Sequence, residues 1–328
     1  MDWDLVQGPV RRDLAQVDRQ LAQLFRSPVA IVNAVAGHFL GTRGKKFRPT
    51  LLLLVARLAG KVRREQVMGA TVVELIHAAA LIHDDSVDKS VLRRGLPTVN
   101  RLWNDDVAIV VGDFLYSKAF ETLVSARLLP AMEILAGATH QMALGEALEL
   151  QFAGQLGLAE REYLKVIDAK TASLMAAACE IGALPAKART PAGRRRAARF
   201  RRFGRAVGMA FQIADDVIDF LGHPAETGKR LGTDLREGKV TLPLIHALRR
   251  LRGAPRSRLA ALAAQRRLRR AEFRELVGLI AAGDGFRYAT ARARAYARQA
   301  QRLLASEPSS AVKEALGHAV DYAVGRTR

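Results

Sequence analysis

Apolar residues recur at helical spacing along nearly the whole chain of 328 residues. Val10, Leu14, Val17 and Leu21, for example, follow one another at intervals of four, three and four residues, which places them on one face of an α-helix. The same period predicts helices over 29–40, 46–59, 64–89, 106–127, 130–155, 160–183, 191–221, 240–252, 256–282, 287–305 and 309–325. Because the sequence contains neither a strand pattern nor a linker, it predicts a single all-α domain over 1–328.

The composition fits a helical protein with a large core. Hydrophobic residues make up 49% of the chain, aromatic residues 6%, and proline occurs 11 times, which excludes a disordered or fibrous protein and favours helices over strands. The single cysteine, Cys179, excludes a disulfide scaffold. We expect it to be a buried helix residue of a cytoplasmic protein. Neither a secretory leader nor an apolar run of the ~20 residues that span a membrane is apparent.

The net charge of +20 resides in two segments. Residues 186–205 and 249–270 each contain nine basic residues and no acid, so the remaining 34 of the 52 Lys and Arg nearly balance the 32 acidic residues. Phe200 and Phe203, three residues apart in the first segment, indicate the buried side of an amphipathic helix. Solvated helix faces are the favoured interpretation of both segments. Peripheral contact with an anionic membrane is the second, and nucleic acid is the least favoured.

Three carboxylates stand together after an apolar stretch, at Asp84, Asp85 and Asp88. Spacings of three and four residues place carboxylates on one face of a helix. Each close pair repels by about 4 kcal/mol at intermediate dielectric, so a positive group is expected there. Hard oxygen ligands with open positions suit Mg²⁺ that is bound through substrate phosphates. For this motif by itself, a solvated acidic turn is an equally good interpretation.

The same spacing recurs 131 residues later, at Asp215, Asp216 and Asp219, again after an apolar run. Two such faces opposed across a bundle could clamp a diphosphate between several Mg²⁺ ions, since helix bundles commonly build metal sites in their cores. Asp105 and Asp106 lack a third carboxylate at this spacing. They are interpreted as the beginning of a helix.

Basic side chains gather around both acidic motifs. Lys45 and Arg48 are three residues apart at the beginning of a helix, and His77 lies two helical turns before the first acidic motif. Arg93 and Arg94 follow that motif directly. Arginine binds phosphate oxygens through paired hydrogen bonds and lysine as a point charge, so these spacings indicate diphosphate binding.

Six motifs together resemble the trans-isoprenyl diphosphate synthases, or polyprenyl synthetases. They are, in order, GKKFRP, ELIHAAALIHDDSVDKSVLRRG, GDFLYSKAF, KTASL, FQIADDVIDF and GKRLGTDLREGKVTLP. The resemblance implies the isoprenoid synthase fold, a helical bundle with a central cavity, in a protein that is usually a homodimer. It also implies a Mg²⁺-dependent prenyltransferase that condenses isopentenyl diphosphate with an allylic prenyl diphosphate to an all-trans polyprenyl diphosphate.

The resemblance further implies roles for individual residues. Mg²⁺ would be held by Asp84, Asp85, Asp88, Asp215, Asp216 and Asp219. The allylic diphosphate would be held by Arg93, Lys170, Lys229 and Lys239. Isopentenyl diphosphate would be held by Gly44, Lys45, Arg48, His77 and Arg94. The allylic cation or the second diphosphate would face Thr171 and Gln212. The catalytic set would then be Asp84, Asp85, Asp88, Lys170, Thr171, Gln212 and Asp215. The glycine-rich segment 222–238 would close as a lid and exclude water.

Two residues depart from the family pattern. Ser86 stands where an aliphatic residue is usual, and no effect is expected because the metal-facing positions are intact. Lys89 replaces a more usual acidic residue. It could pair with a nearby acid or weaken metal binding, and the sequence leaves both open.

Ala79 and Ala80, five and four residues before the first acidic motif, are expected to line the path of the growing tail. Family members with short products tend to carry a bulky aromatic residue there, so two alanines favour a product longer than C20. Phe114, Tyr116 and Phe120 on a neighbouring helix could still form the floor of the path. Ordinary helix packing is the other interpretation of the two alanines.

Other functions are compatible with parts of the same sequence pattern. A geranylgeranyl or farnesyl diphosphate synthase differs from it in product length alone. A class I terpene cyclase normally has a hydroxyl and a Glu in its second metal motif and needs no site of the Lys45, Arg48 and His77 kind. A non-catalytic subunit of a heteromeric synthase tends to lose the aspartates that are present here. No nucleic-acid partner is expected, since nothing but the two arginine-rich segments suggests one.

Overall fold

The computed structural model describes residues 3–41, 44–184, 190–222, 231–265 and 267–325. Its helices, numbered here in chain order, are α1 (Trp3–Gln7), α2 (Arg11–Leu24), α3 (Ala30–Gly41), α4 (Phe47–Leu58), α5 (Arg64–Val87), α6 (Val99–Leu102), α7 (Asp105–Ser125), α8 (Leu129–Phe152), α9 (Glu160–Ile167), α10 (Ser173–Gly182), α11 (Pro191–Leu221), α12 (Thr233–Arg236), α13 (Leu242–Arg250), α14 (Gly253–Ala263), α15 (Arg270–Ala282), α16 (Gly285–Leu304) and α17 (Ala311–Gly325). A 3₁₀ turn (Gly8–Val10) precedes α2, and a π-helical turn (Asp168–Ala172) joins α9 to α10. The all-α prediction is confirmed.

The bundle is organised around α11, which packs against α10 and α16. Phe200 and Phe203 of α11 are fully buried and meet edge to face, as the spacing of the two residues predicts. Cys179 on α10 is also fully buried. Burying a large apolar side chain contributes about 1.5–3 kcal/mol, so this seam holds the helices that carry the site in fixed positions.

The segment predicted as one helix over 256–282 is two helices, α14 and α15. Helix α15 begins at a capping contact in its first turn. There, Oε2 of Glu272 accepts a hydrogen bond from the backbone N–H of Arg269 at 2.8 Å. This capping contact starts a new helix and changes its direction. Apolar periodicity continues across the break, which is why the sequence pattern does not show it.

Two short strands, β1 (Leu92–Arg93) and β2 (Leu96–Pro97), pair antiparallel, whereas the sequence predicts none. Arg94 and Gly95 between them both have positive φ, 54° and 79°, the geometry of a tight two-residue hairpin. Two-residue strands are too short to give an alternating pattern. The turn directs Arg93 and Arg94 toward the end of α5.

Helix α5 is long and apolar enough to cross a membrane by length and composition, but 67% of the relevant window is buried inside the protein. A helix buried to this extent packs in the core of the bundle. The helix instead delivers the first acidic motif to the interior.

Candidate functional site

A cavity of about 1760 Å³ lies inside the bundle, with both acidic motifs in its wall. Helix α5 contributes Asp84 and Asp88, and α11 contributes Asp215, Asp216 and Asp219. Sites for small ligands usually measure ~300–1,000 Å³, so this cavity has room for a long ligand. The two predicted clusters are therefore brought together at one site.

Asp85 does not share that wall. It is buried and accepts hydrogen bonds from Arg93, whose Nε lies 2.8 Å from Oδ2 and whose Nη2 lies 2.8 Å from Oδ1. Neighbouring helix positions differ by about 100° in direction, so Asp84 and Asp85 cannot both face the cavity centre. The expected contact of Asp85 with Mg²⁺ would require it to release Arg93.

Lys170 provides positive charge beside the first acidic motif. Its Nζ lies 2.5 Å from Oε2 of Glu146 and 2.5 Å from Oε2 of Glu149. Burial alone would lower the pKa of Lys170, but Asp84 and these two glutamates raise it above its ordinary value. Burial also raises the pKa of Asp84, and Lys170 opposes that effect. The ammonium group therefore keeps the carboxylates charged.

Lys239 makes a second ammonium bridge across the cavity. Its Nζ donates to Oδ2 of Asp88 and to Oε2 of Glu237, both at 2.8 Å. It links the end of α5 to the segment that follows α12. Of the three lysines predicted to hold the allylic diphosphate, Lys170 and Lys239 thus lie among carboxylates.

Glu146 and Glu149 were not predicted from the sequence. Carboxylate oxygens of these two residues and of Asp88 lie within 4.8 Å of one another, and Oε1 of Glu146 is buried without a hydrogen-bond partner. Such oxygens fit a hard cation such as Mg²⁺. The signal available in the sequence is two glutamates three residues apart in the otherwise apolar second half of α8.

The π-helical turn sets the position of Lys170 and Thr171. A turn of this kind places one extra residue in the helix and is frequent at functional sites. Gly145 of α8 crosses it so closely that a Cβ there would lie 2.5 Å from the backbone nitrogen of Lys170. The glycine is needed for α8 and the turn to meet.

Hydrogen bonds hold Asp216 from two sides. Tyr163 donates to its Oδ2 at 2.5 Å and Gln212 Nε2 donates to its Oδ1 at 2.8 Å, while Thr171 donates to Gln212 Oε1 at 2.8 Å. Burial raises the pKa of Asp216 to about 7, and the two hydrogen bonds partly oppose this. Thr171 and Gln212 therefore position Asp216 as well as facing the cavity.

Asp219 lies in the last turn of α11 and contacts the segment that begins at residue 231. Its two carboxylate oxygens accept hydrogen bonds from the backbone N–H groups of Thr233 and Asp234, at 3.0 and 3.2 Å. From the predicted lid, 222–238, the cavity wall thereby includes Leu231, Asp234, Glu237 and Gly238. Lys229 and the rest of 223–230 lie outside the described residues.

The basic residues predicted around the first motif form a pocket. Arg48 Nη1 lies 3.0 Å from Nε2 of His77, while Arg48 Nε and Glu74 Oε2 are buried without a hydrogen-bond partner. Burial lowers the pKa of Arg48 to about 10 and that of His77 well below 6.5. Gly44 lies against the guanidinium of Arg94, where a Cβ would be 2.6 Å from Nη1. The unpartnered Nε of Arg48 is a donor that fits a second diphosphate, whereas the unpartnered Oε2 of Glu74 is an acceptor.

Residues 44–46, here called the Lys45 loop, contact helices α1 and α17. The carbonyl of Lys45 accepts hydrogen bonds from Trp3 Nε1 at 3.1 Å and from Gln7 Nε2 at 3.0 Å. Its Nζ donates to the hydroxyl of Tyr322, and the rings of Trp3 and Tyr322 lie 4.6 Å apart. Helices α1 and α17 thus fix the orientation of this cation.

The apolar part of the cavity runs along α5 and α7. Ala80, Tyr116 and Phe120 line it. Ala79 is instead fully buried in the core, and Phe114 packs against that core. Four residues along a helix return to nearly the same direction, but five do not, so Ala80 shares the face of Asp84 and Ala79 does not.

Ser86 and Lys89, the two residues that depart from the family pattern, both contact Asp105. Ser86 Oγ donates to its Oδ1 at 2.5 Å, and Lys89 Nζ donates to its Oδ2 at 2.6 Å. Of the two interpretations of Lys89, the structure shows the ion pair. Asp105 and Asp106 begin α7 behind the N-cap Asn104, as predicted.

The chain is similar to known proteins over most of its length. The family model described as polyprenyl synthetase matches residues 29–280. The all-trans-nonaprenyl-diphosphate synthase (geranyl-diphosphate specific) of Rhodobacter capsulatus is 34% identical over 97% of this chain and 96% of the relative. The octaprenyl diphosphate synthase of Haemophilus influenzae is 33% identical over 96% of this chain and 94% of the relative.

The fold is similar to that of solved structures as well. A polyprenyl synthase from Caulobacter crescentus, in complex with calcium and isoprenyl diphosphate, superimposes with a TM-score of 0.93 at 38% identity, over 100% of this chain and 98% of the other. The matching proteins also include a geranylgeranyl diphosphate synthase and component 2 of a heptaprenyl diphosphate synthase.

Proposed function

Because the chain belongs to the polyprenyl synthetase family, we propose that it condenses isopentenyl diphosphate with an allylic prenyl diphosphate to an all-trans polyprenyl diphosphate longer than C20. The reaction depends on Mg²⁺, and the chain acts as one domain. The observation that carries the proposal is a single cavity that contains two opposed acidic clusters, a separate basic pocket and an apolar extension.

The carboxylates and lysines bind the allylic diphosphate. Asp84, Asp88 and Asp215, with Asp219, would hold Mg²⁺, which supplies positive charge to the leaving diphosphate. Lys170 and Lys239 already lie among these acids and exchange carboxylate oxygens for diphosphate oxygens when the substrate binds. Both ammonium groups are therefore in place before the substrate binds, which keeps their part of the electrostatic stabilisation preorganised.

The basic pocket orients isopentenyl diphosphate. Arg48 and Arg94 donate hydrogen bonds to its diphosphate, and the Lys45 loop adds a point charge. His77 is neutral, so it accepts from Arg48 and sets the direction of that guanidinium. The pocket opens on the same cavity as Asp84, which brings the double bond of the homoallylic substrate beside the allylic carbon.

The chemical step forms one carbon–carbon bond. The allylic C–O bond breaks, the diphosphate leaves with the electron pair, and the double bond of isopentenyl diphosphate attacks the allylic carbon. The departed diphosphate then takes the proton that restores a double bond. Thr171 and Gln212 present polar oxygens toward the cavity, and the segment 231–239 excludes water that would otherwise quench the cation.

The product length follows from the apolar extension. Ala80 leaves the path past the first acidic motif open, and Tyr116 and Phe120 lie further along it. Ala80→Phe is expected to shorten the products and Phe120→Ala to lengthen them. Ala79→Phe, at a fully buried core position, is expected to destabilise the fold without a graded change in product length. A stop at C20 in the parent enzyme would instead favour a geranylgeranyl diphosphate synthase.

The chain is proposed to act as a homodimer in the cytoplasm. Helices α7 and α8 expose large apolar residues, among them Val110 (63% exposed) and Leu129 (60%), and an interface between two copies would cover them. Val110→Glu with Leu129→Glu should reduce the mass measured by light scattering to that of one chain. The control Leu5→Glu, also at an exposed apolar position, should not.

The deciding experiment is a product assay on the purified chain with isopentenyl diphosphate and a farnesyl or geranylgeranyl primer, with and without Mg²⁺, read by mass spectrometry. Mg²⁺-dependent products longer than C20 are expected. Absence of product with the metal present would overturn the stand-alone enzyme and favour a subunit that needs a partner, whereas cyclised products without isopentenyl incorporation would favour a terpene cyclase.

A matched pair of variants tests the acidic motif. Asp84→Asn removes a cavity carboxylate and is expected to lower turnover by at least ~100-fold, since it removes charge from the leaving-group site. Asp106→Asn removes an exposed carboxylate of the same type at the beginning of α7 and should leave turnover unchanged. Equal activity of the two variants would contradict the assignment.

A further inference from the structure

The second arginine-rich segment forms a helical hairpin with strong positive charge. We define the basic hairpin as residues 249–265 and 267–275, which comprise the end of α13, all of α14 and the beginning of α15. Its nine arginines are all exposed. Two of them, Arg258 and Arg269, pair with Glu275 and Glu272. The hairpin contains no other acid, so its seven remaining arginines have no carboxylate of their own hairpin to neutralise them.

The basic hairpin packs against the segment that borders the cavity. A Cβ on Gly232 would overlap the ring of Phe273, and Phe273 stacks on Phe220 of α11 with ring centroids 6.5 Å apart. Phe220 directly follows Asp219 of the second acidic motif. The hairpin therefore lies next to the end of the cavity that binds the diphosphates.

The apolar side chains of the hairpin face inward. Leu259 and Leu262 are fully buried and Leu251 and Leu268 are half-buried, so no large apolar side chain of the described hairpin is exposed for insertion into a bilayer. Contact with an anionic surface would therefore be electrostatic, reversible and sensitive to salt. Phe273 is packed against Phe220 as well, which leaves the described hairpin without an exposed aromatic ring on which a nucleic-acid base could stack.

We propose that the basic hairpin docks the enzyme on an anionic lipid bilayer, beside the diphosphate end of the cavity. The inference rests on the proposed function, because a polyprenyl diphosphate carries a long apolar tail. Each buried CH₂ that is exposed to water costs about 0.8 kcal/mol, so passage from the cavity directly into a bilayer avoids a large barrier. Arginines near the membrane surface supply the attraction.

The test compares two variants that each lose five arginines. The hairpin variant carries Arg249→Gln, Arg252→Gln, Arg256→Gln, Arg267→Gln and Arg270→Gln. The control variant carries Arg195→Gln, Arg202→Gln, Arg294→Gln, Arg298→Gln and Arg302→Gln, at exposed positions of α11 and α16. Both variants have the same net charge, so a difference between them reports the location of the charge.

Binding is measured by co-flotation with vesicles of phosphatidylcholine and phosphatidylglycerol, and with vesicles of phosphatidylcholine alone. The parent and control proteins should bind the anionic vesicles at physiological salt and release them at high salt, while the hairpin variant should partition at least ~100-fold less. Equal binding by the two variants, or equal binding to neutral vesicles, would overturn the proposal. Salt-sensitive retention of the parent on DNA without vesicle binding would favour nucleic acid instead.

A second measurement separates docking from catalysis. Labelled product made in the presence of anionic vesicles should appear with the vesicles for the parent and control proteins and remain with the protein for the hairpin variant. Turnover without vesicles should be the same in all three. Vesicle binding in the absence of any product synthesis would support docking and overturn the proposed function.

Discussion

Gly145 lies where α8 crosses the π-helical turn, and a methyl group has no room there. A Cβ at this position would lie 2.5 Å from the backbone nitrogen of Lys170 and 2.8 Å from its Cα, so Gly145→Ala must push two backbones apart. Overpacking costs about 1–3 kcal/mol, and replacing glycine by alanine inside a helix offsets about 0.5–1 kcal/mol of that. The expected net loss is about 1 kcal/mol in the free energy of unfolding, which lowers Tm by about 2–4 °C.

The same displacement reaches the chemistry. Lys170 would move with its backbone, and a shift of about 1 Å at a substrate-positioning group can cost on the order of 100-fold in rate, so turnover should fall at least ~10-fold. Gly317→Ala is the matched control, because a Cβ at this helical glycine of α17 would meet nothing within 4 Å. It should raise Tm slightly and leave turnover unchanged.

The Tm is measured by calorimetry, and turnover is measured as the rate of product formation, for both variants. A Gly145→Ala protein as stable and as active as the parent would refute the steric reasoning. So would a Gly317→Ala protein that loses as much stability, because the loss would then come from alanine itself rather than from the crossing.

Three further predictions concern single side chains. Burial and the neighbouring arginines hold the pKa of His77 well below 6.5, so ¹⁵N NMR should show a neutral ring from pH 6 to 8. Because an unfolded histidine takes up a proton near pH 6.5, the contribution of His77 to stability should be lost as pH falls below that value. An NMR signal showing a protonated ring in the folded protein near pH 7 would contradict the lowered pKa. Cys179 is fully buried, which raises the pKa of its thiol, so a thiol reagent should label it in the unfolded protein alone. Lys89→Ala breaks an exposed ion pair with Asp105 and should change the free energy of unfolding by less than ~1 kcal/mol. The Mg²⁺ concentration that gives half-maximal turnover should stay the same. A large rise in that concentration would show that Lys89 affects metal binding.

Spacing along single helices predicts much of the site. Asp84 and Asp88 face the cavity as their interval of four residues requires, and helix boundaries such as 191–221 agree with the structure. The same rule distinguishes their neighbours: Asp85 and Ala79 do not line the cavity, because one additional residue turns a side chain by about 100°.

Contacts between helices are what the sequence conceals. Glu146 and Glu149 join the site because α8 crosses the π-helical turn, and no periodicity within α8 distinguishes them from solvated glutamates. Asp216 likewise fits the acidic motif by spacing, yet its hydrogen bonds to Tyr163 and Gln212 depend on where α9 packs. Tertiary packing decides these roles, and a single sequence carries no direct record of it.

The Lys45 loop also has a consequence for the order of assembly. Its partners come from α1, which precedes it, and from α17, where Tyr322 lies 277 residues after Lys45 along the chain. Contacts between such distant parts of a chain form late, because the whole intervening chain must be closed before they are gained. A growing chain can therefore bring the acidic clusters together well before it can orient the Lys45 cation, so the pocket for the second diphosphate is completed only after α17 has formed.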